Sequence, residues 1–169
     1  MSLQVNFSWR KDEVSISHED QVIYTVSNHL KAPHLRFYKE TKGGNKNDGM
    51  IGTSTFHLLS SSPEFTHHGR HGKLQSTSRW KMAYTHESYY LDSTHNHPTT
   101  MTWTSESGFK TWDFICLDER KQAVARFSAN PWGIKKLGKI EFCIEDPLAR
   151  EELILVGVTL YYCVLLCWT

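Results

Sequence analysis

Apolar and polar positions alternate along most of this chain, in short runs that predict strands, until a single helical segment at the end. Val14 and Ile16 alternate with Ser15 and Ser17, the polar turn His18-Glu19-Asp20 follows, and Gln21 to Ser27 is rich in β-branched and aromatic residues. That is the pattern of two strands joined by a tight turn. Leu3 to Trp9 predicts a strand before them, and His34 to Lys39 one after Pro33, with Leu35 and Phe37 on one face. The glycine-rich stretch Lys42 to Gly49 reads as a loop, and Met50 to Leu58 as the next strand. Ser60 to Pro63 and Thr66 to Gly72 read as loop, and Lys73 to Thr85 as one long strand or two joined by a bend, with Trp80 and Met82 on one face. Asp92 to Thr99 reads as loop again, and Thr100 to Thr104 as a strand carrying Trp103. Beyond the turn Ser105 to Gly108, Thr111 to Leu117 and Gln122 to Ala129 flank the charged turn Asp118 to Lys121 as a hairpin. After the break Asn130 to Gly133, Gly138 to Ile144 is the last strand, with Ile140, Phe142 and Ile144 on one face.

The helix is predicted from Pro147 to about residue 168. Asp146 suits the N-cap, Pro147 the first helical position, and Glu151 and Glu152 lie towards the positive end of the helix dipole. From Leu153 onward the segment is apolar on every side, so it must be buried in protein or in lipid. It is about 24 Å long at 1.5 Å per residue, short for a hydrocarbon layer of about 30 Å. A mainly β, antiparallel barrel closed round this helix covers the apolar strand faces and removes the sheet edges at once. The expectation is one domain over residues 1–169.

Composition sharpens this picture only slightly. A formal charge of +1 gives no electrostatic case for nucleic acid. The first residues have no signal-peptide pattern, which implies a cytoplasmic setting. Cys116, Cys143, Cys163 and Cys167 form no CxxC pair and sit in apolar surroundings, as buried free thiols do.

Candidate chemistry is sparse. His67, His68 and His71 are close in sequence, and His95 and His97 flank Asn96, but no cysteine is near them to make up a structural zinc set. Solvated loop histidines account for the pattern, with a weak metal site as the alternative; no metal or cofactor is expected. Asp113, Asp118, Glu151 and Glu152 are accounted for by turns and by the helix start. No nucleophile motif and no phosphate-cradling glycine loop is present, so no catalytic residue is assigned. Arg70, Lys73, Arg79 and Lys81 cluster in the middle of the chain. Arg79 and Lys81 share one face if their segment is a strand, and such a strip would meet anionic headgroups. A solvated strand face explains the same residues without a ligand.

The order of elements resembles the tubby C-terminal-like superfamily, which includes the LURP-one-related proteins and the phospholipid scramblases. The likeness is carried by Glu13 to Ser17 with Gln21 to Val26, by Trp112 to Asp118, by Ala123 to Phe127, by Gly138 to Phe142 and by the terminal helix. It is greatest to the small fungal tubby-like domains that stand alone in their chains. The resemblance implies a barrel of about twelve strands round a central C-terminal helix. The phosphoinositide-binding lysines and arginines of tubby proteins have no residue-by-residue counterpart here. The function expected is a non-enzymatic domain that binds a protein partner or an anionic membrane lipid, in the cytoplasm or peripherally at membranes. The alternatives are a tail-anchored membrane protein, and an enzyme or small-ligand carrier with a pocket at the barrel mouth. The sequence leaves the oligomeric state open.

Overall fold

The computed structural model describes residues 1–8, 13–41, 49–57, 60–77, 83–91, 96–105, 112–129 and 137–167. Among these residues thirteen strands precede one helix. They are β1 (Ser2–Ser8), β2 (Glu13–His18), β3 (Gln21–Asn28), β4 (Leu35–Lys39), β5 (Met50–His57), β6 (Ser60–His67), β7 (Arg70–Lys73), β8 (Gln75–Ser76), β9 (Ala83–Ser88), β10 (Thr99–Ser105), β11 (Trp112–Leu117), β12 (Ala123–Ala129) and β13 (Leu137–Phe142). The helix α1 runs over Pro147–Cys167. All strands belong to one antiparallel sheet in the order β7-β6-β5-β4-β3-β2-β1-β13-β12-β11-β10-β9-β8. The two ends of this order are neighbours in the chain, because only Leu74 separates β7 from β8. Residues 70–76 thus pair with β6 through their first part and with β9 through their last, which brings the sheet to a nearly closed barrel. Counting β7 and β8 as one bent strand gives twelve staves.

Alternation decides which side chains face inward. Leu3, Val5 and Phe7 of β1, Val14 and Ile16 of β2, Leu35 and Phe37 of β4, Met101 and Trp103 of β10, and Ile140 and Phe142 of β13 are buried, and their neighbours in sequence face out or lie near the surface. The space they enclose is filled by α1, on which every side chain from Glu151 to Tyr161 is buried. An all-round apolar helix finds in the barrel the dry surroundings it needs. Its start is as the sequence indicates: Asp146 Oδ1 accepts from the Ala149 amide at 2.8 Å, with Pro147 as the first helical residue. The buried stretch carries two hydroxyls, those of Thr159 and Tyr161; Thr159 donates to the Leu155 carbonyl at 2.7 Å and lies 2.6 Å from Ser54 Oγ. Phe7 stacks on Tyr161 with ring centroids 4.3 Å apart. No helix among the described residues is long and apolar enough to cross a membrane.

The stretch Ser60 to Gly72, expected as loop, is instead a hairpin of β6 and β7. Pro63, Phe65 and His67 alternate inward on β6, although serines and proline hide that period. Pro63 falls where the β5–β6 register shifts between Thr55 and His57, a place that tolerates a missing N–H. Lys73 to Thr85 is not one strand, since β8 ends at Ser76 and β9 begins at Ala83; Trp80 and Met82 lie outside the described residues. Cys116 and Cys163 are buried thiols outside any disulfide, as expected, but Cys143 is exposed, one residue beyond the end of β13.

Candidate functional site

The buried carboxylates of α1, Glu151 and Glu152, and the buried histidines that face them, His67 and His86, lie towards the end where α1 begins. Glu151 and Glu152 are not helix-start acids, because α1 opens at Pro147 and neither lies in its first turn. Both are only 3% exposed, and they face different parts of the wall.

Glu151 meets four side chains from three strands and a turn. Its Oε1 accepts from Lys39 Nζ at 2.5 Å, at the end of β4, and from the Tyr24 hydroxyl of β3 at 3.2 Å. Its Oε2 lies 2.9 Å from His68 Nε2 and 3.9 Å from His67 Nε2. The first is a hydrogen bond; the second is too long to be one. Burial by itself would push the Glu151 carboxyl up, but the surrounding polar groups of His67, Lys39 and His68, with the Lys39 charge, hold it well below the usual carboxylate range. It is an ionised acceptor. Burial and the neighbouring Glu151 charge in turn push the Tyr24 phenol well up.

His67 reaches this cluster from the last position of β6, and His68 from the turn that follows. His68 and Gly69 have φ of 46° and 78°, both positive, as a two-residue hairpin turn of the primed type requires. Histidine is among the few side chains that enter this region with any frequency. His67 is 1% exposed and neither of its ring nitrogens has a hydrogen-bond partner among the described residues. Its ring lies against those of His68, at 4.5 Å, and Tyr90, at 5.0 Å. A buried polar group left so costs on the order of 1–3 kcal/mol.

Glu152 faces β9 and β10. Trp103 Nε1 donates to His86 Nδ1 at 3.1 Å. The indole is a donor only, so in the neutral ring the proton sits on His86 Nε2. That nitrogen points at Glu152 Oε2 across 3.8 Å, and neither atom has a hydrogen bond among the described residues. Burial chiefly, and Glu152 beside it, push the Cys116 thiol well up, which makes it an inert core thiol.

Of the basic residues singled out in the sequence, Arg70 and Lys73 fall among the described residues. Arg70 opens β7 at the rim, with its guanidinium 4.9 Å from the Tyr89 ring and 5.6 Å from that of Tyr90. Lys73 ends the same strand and faces outward, opposite Glu64 in the register with β6. It lines an outer cleft of about 550 Å³ together with Glu64, His71, Gln75, Glu87 and Tyr89. Arg79 and Lys81 lie outside the described residues, as does His95. His71 and His97 are exposed, whereas His67 and His86 are core residues.

Sequence reasoning missed the Glu151 cluster because it took residues 60–72 for loop. Two signals were present: Phe65 and His67 share a strand face, and His68-Gly69 fills the place that Asn-Gly takes in a tight hairpin turn.

No protein-family model, no curated protein and no solved structure matches this chain. Fold and site together define its class: a mainly β, nearly closed antiparallel barrel, of thirteen strands among the described residues, with the C-terminal helix packed in it and a buried histidine–carboxylate cluster at one end.

Proposed function

We propose that this protein is a non-enzymatic binding domain of the tubby-like kind, which recognises a protein partner through its outer wall. The observation that carries the reading is the occupied interior. The side chains of α1 fill the barrel from Leu153 to Tyr161, so a ligand is left the rims and the outer surface. The buried carboxylate nearest a rim supports the same reading: Glu151 is held ionised by fixed neighbours, the reverse of the raised pKa a general acid needs.

The cleft beside β7 favours a protein segment over an anionic membrane. Glu64 and Glu87 lie in it with Lys73. Carboxylates facing a lipid headgroup layer would be repelled by it, whereas a polypeptide supplies groups of both signs. A cytoplasmic setting belongs to the same proposal.

The test is a sign reversal in the cleft, with Lys73→Glu and Glu87→Lys combined. Affinity capture from source-cell extract, quantified for both forms, is expected to retain a defined partner on the wild-type chain and lose it on the reversed one. Vesicles containing phosphatidylserine or phosphoinositide are expected to pellet neither form. Salt-sensitive pelleting of the wild type, weakened by Arg70→Ala with Lys73→Ala, would move the assignment to the lipid reading. Capture that the reversal leaves unchanged would remove the cleft from it.

A further inference from the structure

We propose that His67, His68 and Glu151 form a binding site for one divalent transition-metal ion, with Zn²⁺ the ion its donors fit best. This site is inside the rim and does not depend on the outer cleft.

The three residues are 67, 68 and 151 in sequence, but each offers one ligand atom, and these atoms lie within 4.8 Å of one another. Two imidazoles and a carboxylate are the donor set of many zinc sites that keep a position open. Copper accepts the same imidazoles, and harder ions such as Mg²⁺ and Ca²⁺ do not favour them. Ligands at about 2.1 Å from a tetrahedral ion stand about 3.4 Å apart. Here Glu151 Oε2 is 2.9 Å from His68 Nε2 and 3.9 Å from His67 Nε2, values that straddle that spacing. The third pair, the two imidazole nitrogens, lies within 4.8 Å, and rotation of the rings would draw all three to that spacing.

A second observation points into the same space. His67 is buried and both of its ring nitrogens lack a hydrogen-bond partner among the described residues. A histidine kept inside a core in this state, facing a carboxylate it does not reach, has a lone pair to give. His68 provides the entry path, since its side chain is 40% exposed at the rim. On binding, His68 gives up the proton on Nε2, which moves to Nδ1 or to solvent, and Nε2 then donates to the ion. Lys39 stays on the other oxygen of Glu151. Its charge opposes a cation there, so the site is weak by construction and Lys39 sets how weak.

The full chain, stripped with a chelator and exchanged into metal-free buffer, is titrated with ZnCl₂ by calorimetry and with CoCl₂ by visible absorption. One equivalent of Zn²⁺ per chain is expected, with a raised melting temperature. His68→Asn removes the ligand nitrogen but leaves Asn-Gly, which this turn accepts readily, so a folded variant with at least tenfold weaker binding is expected. Lys39→Met should bind the ion about tenfold more tightly, because a like charge has been taken from its side. A gain of this kind cannot come from misfolding. Failure of the wild type to bind at micromolar Zn²⁺, or equal binding by the wild type and both variants, would overturn the proposal; the second result would assign the ion to exposed histidines such as His71 and His97.

Discussion

At the scale of single residues, the molecule concentrates its electrostatics on one carboxylate. Glu151 is buried, yet ionised, because Lys39, Tyr24 and His68 hydrogen-bond it. Removing one partner of such a cluster leaves the others uncompensated. The sign of the pH dependence follows. The folded-state pKa of Glu151 lies below its unfolded value, so its contribution to stability is complete above the unfolded pKa of about 4.3. It is lost progressively as pH falls below that towards the folded value. Glu151→Gln should therefore be less stable than the wild type at pH near 7, by urea denaturation with chelator present, and the gap should shrink in acid below about pH 4. A gap that does not change with pH would mean that the carboxylate is not ionised in the folded state. Little of this cluster could be read in the sequence. The chemistry of Glu151 depends on Lys39, which is 112 residues away, and no local pattern encodes such a meeting. The inward turn of His67 corrects its reading as a solvated loop histidine; the signal for it is Phe65, two residues earlier on the same strand face.

At the scale of elements, the helix and the staves are fitted by contact distances that single atoms can upset. Gly52 of β5 faces α1, and a Cβ there would lie 2.2 Å from the Thr66 carbonyl oxygen and 2.4 Å from Leu155 Cδ1. One of those atoms is backbone, so Gly52→Ala should destabilise by about 1–3 kcal/mol, as overpacking does. At Gly157 on α1 the nearest atoms to an added Cβ would be on the edges of Trp103, at 3.3 Å, and Phe127, at 3.4 Å. Alanine there gains helix propensity of about 1 kcal/mol against a small displacement of two rings, so Gly157→Ala should change stability by less than about 1 kcal/mol. Denaturation midpoints of the two variants check the pair, and an equal cost at both sites would contradict the packing described. Most elements could be read from the sequence, because strand and helix periods are local. Val14 and Ile16, Leu35 and Phe37, and Ile140 and Phe142 are buried together as their alternation requires. The hairpin of β6 and β7 was hidden by residue types of low strand propensity, Ser60 to Pro63 above all. What no alternation reveals is the partner exchange at Leu74, which depends on β6 and β9 arriving on opposite sides of the same stretch.

At the scale of the whole molecule, one question governs the rest: whether α1 is the interior of the barrel or a segment that leaves it. Among the described residues the buried apolar side chains form one core cluster. The inward faces of its strands end on Leu153 to Val164, and Leu74, fully buried, sits where the wall turns back on itself. The binding reading depends on this arrangement, since an occupied interior is what confines ligands to the surface, and so does the metal site, which takes Glu151 from the helix and both histidines from the wall. Amide hydrogen exchange of the full chain in detergent-free buffer, read by mass spectrometry over Leu153 to Val164, tests it most directly. The account predicts that these amides exchange only with global unfolding, as slowly as those of β2 and β12, and that added lipid vesicles leave their rate unchanged. Rapid exchange in buffer that becomes protected when vesicles are added would contradict it.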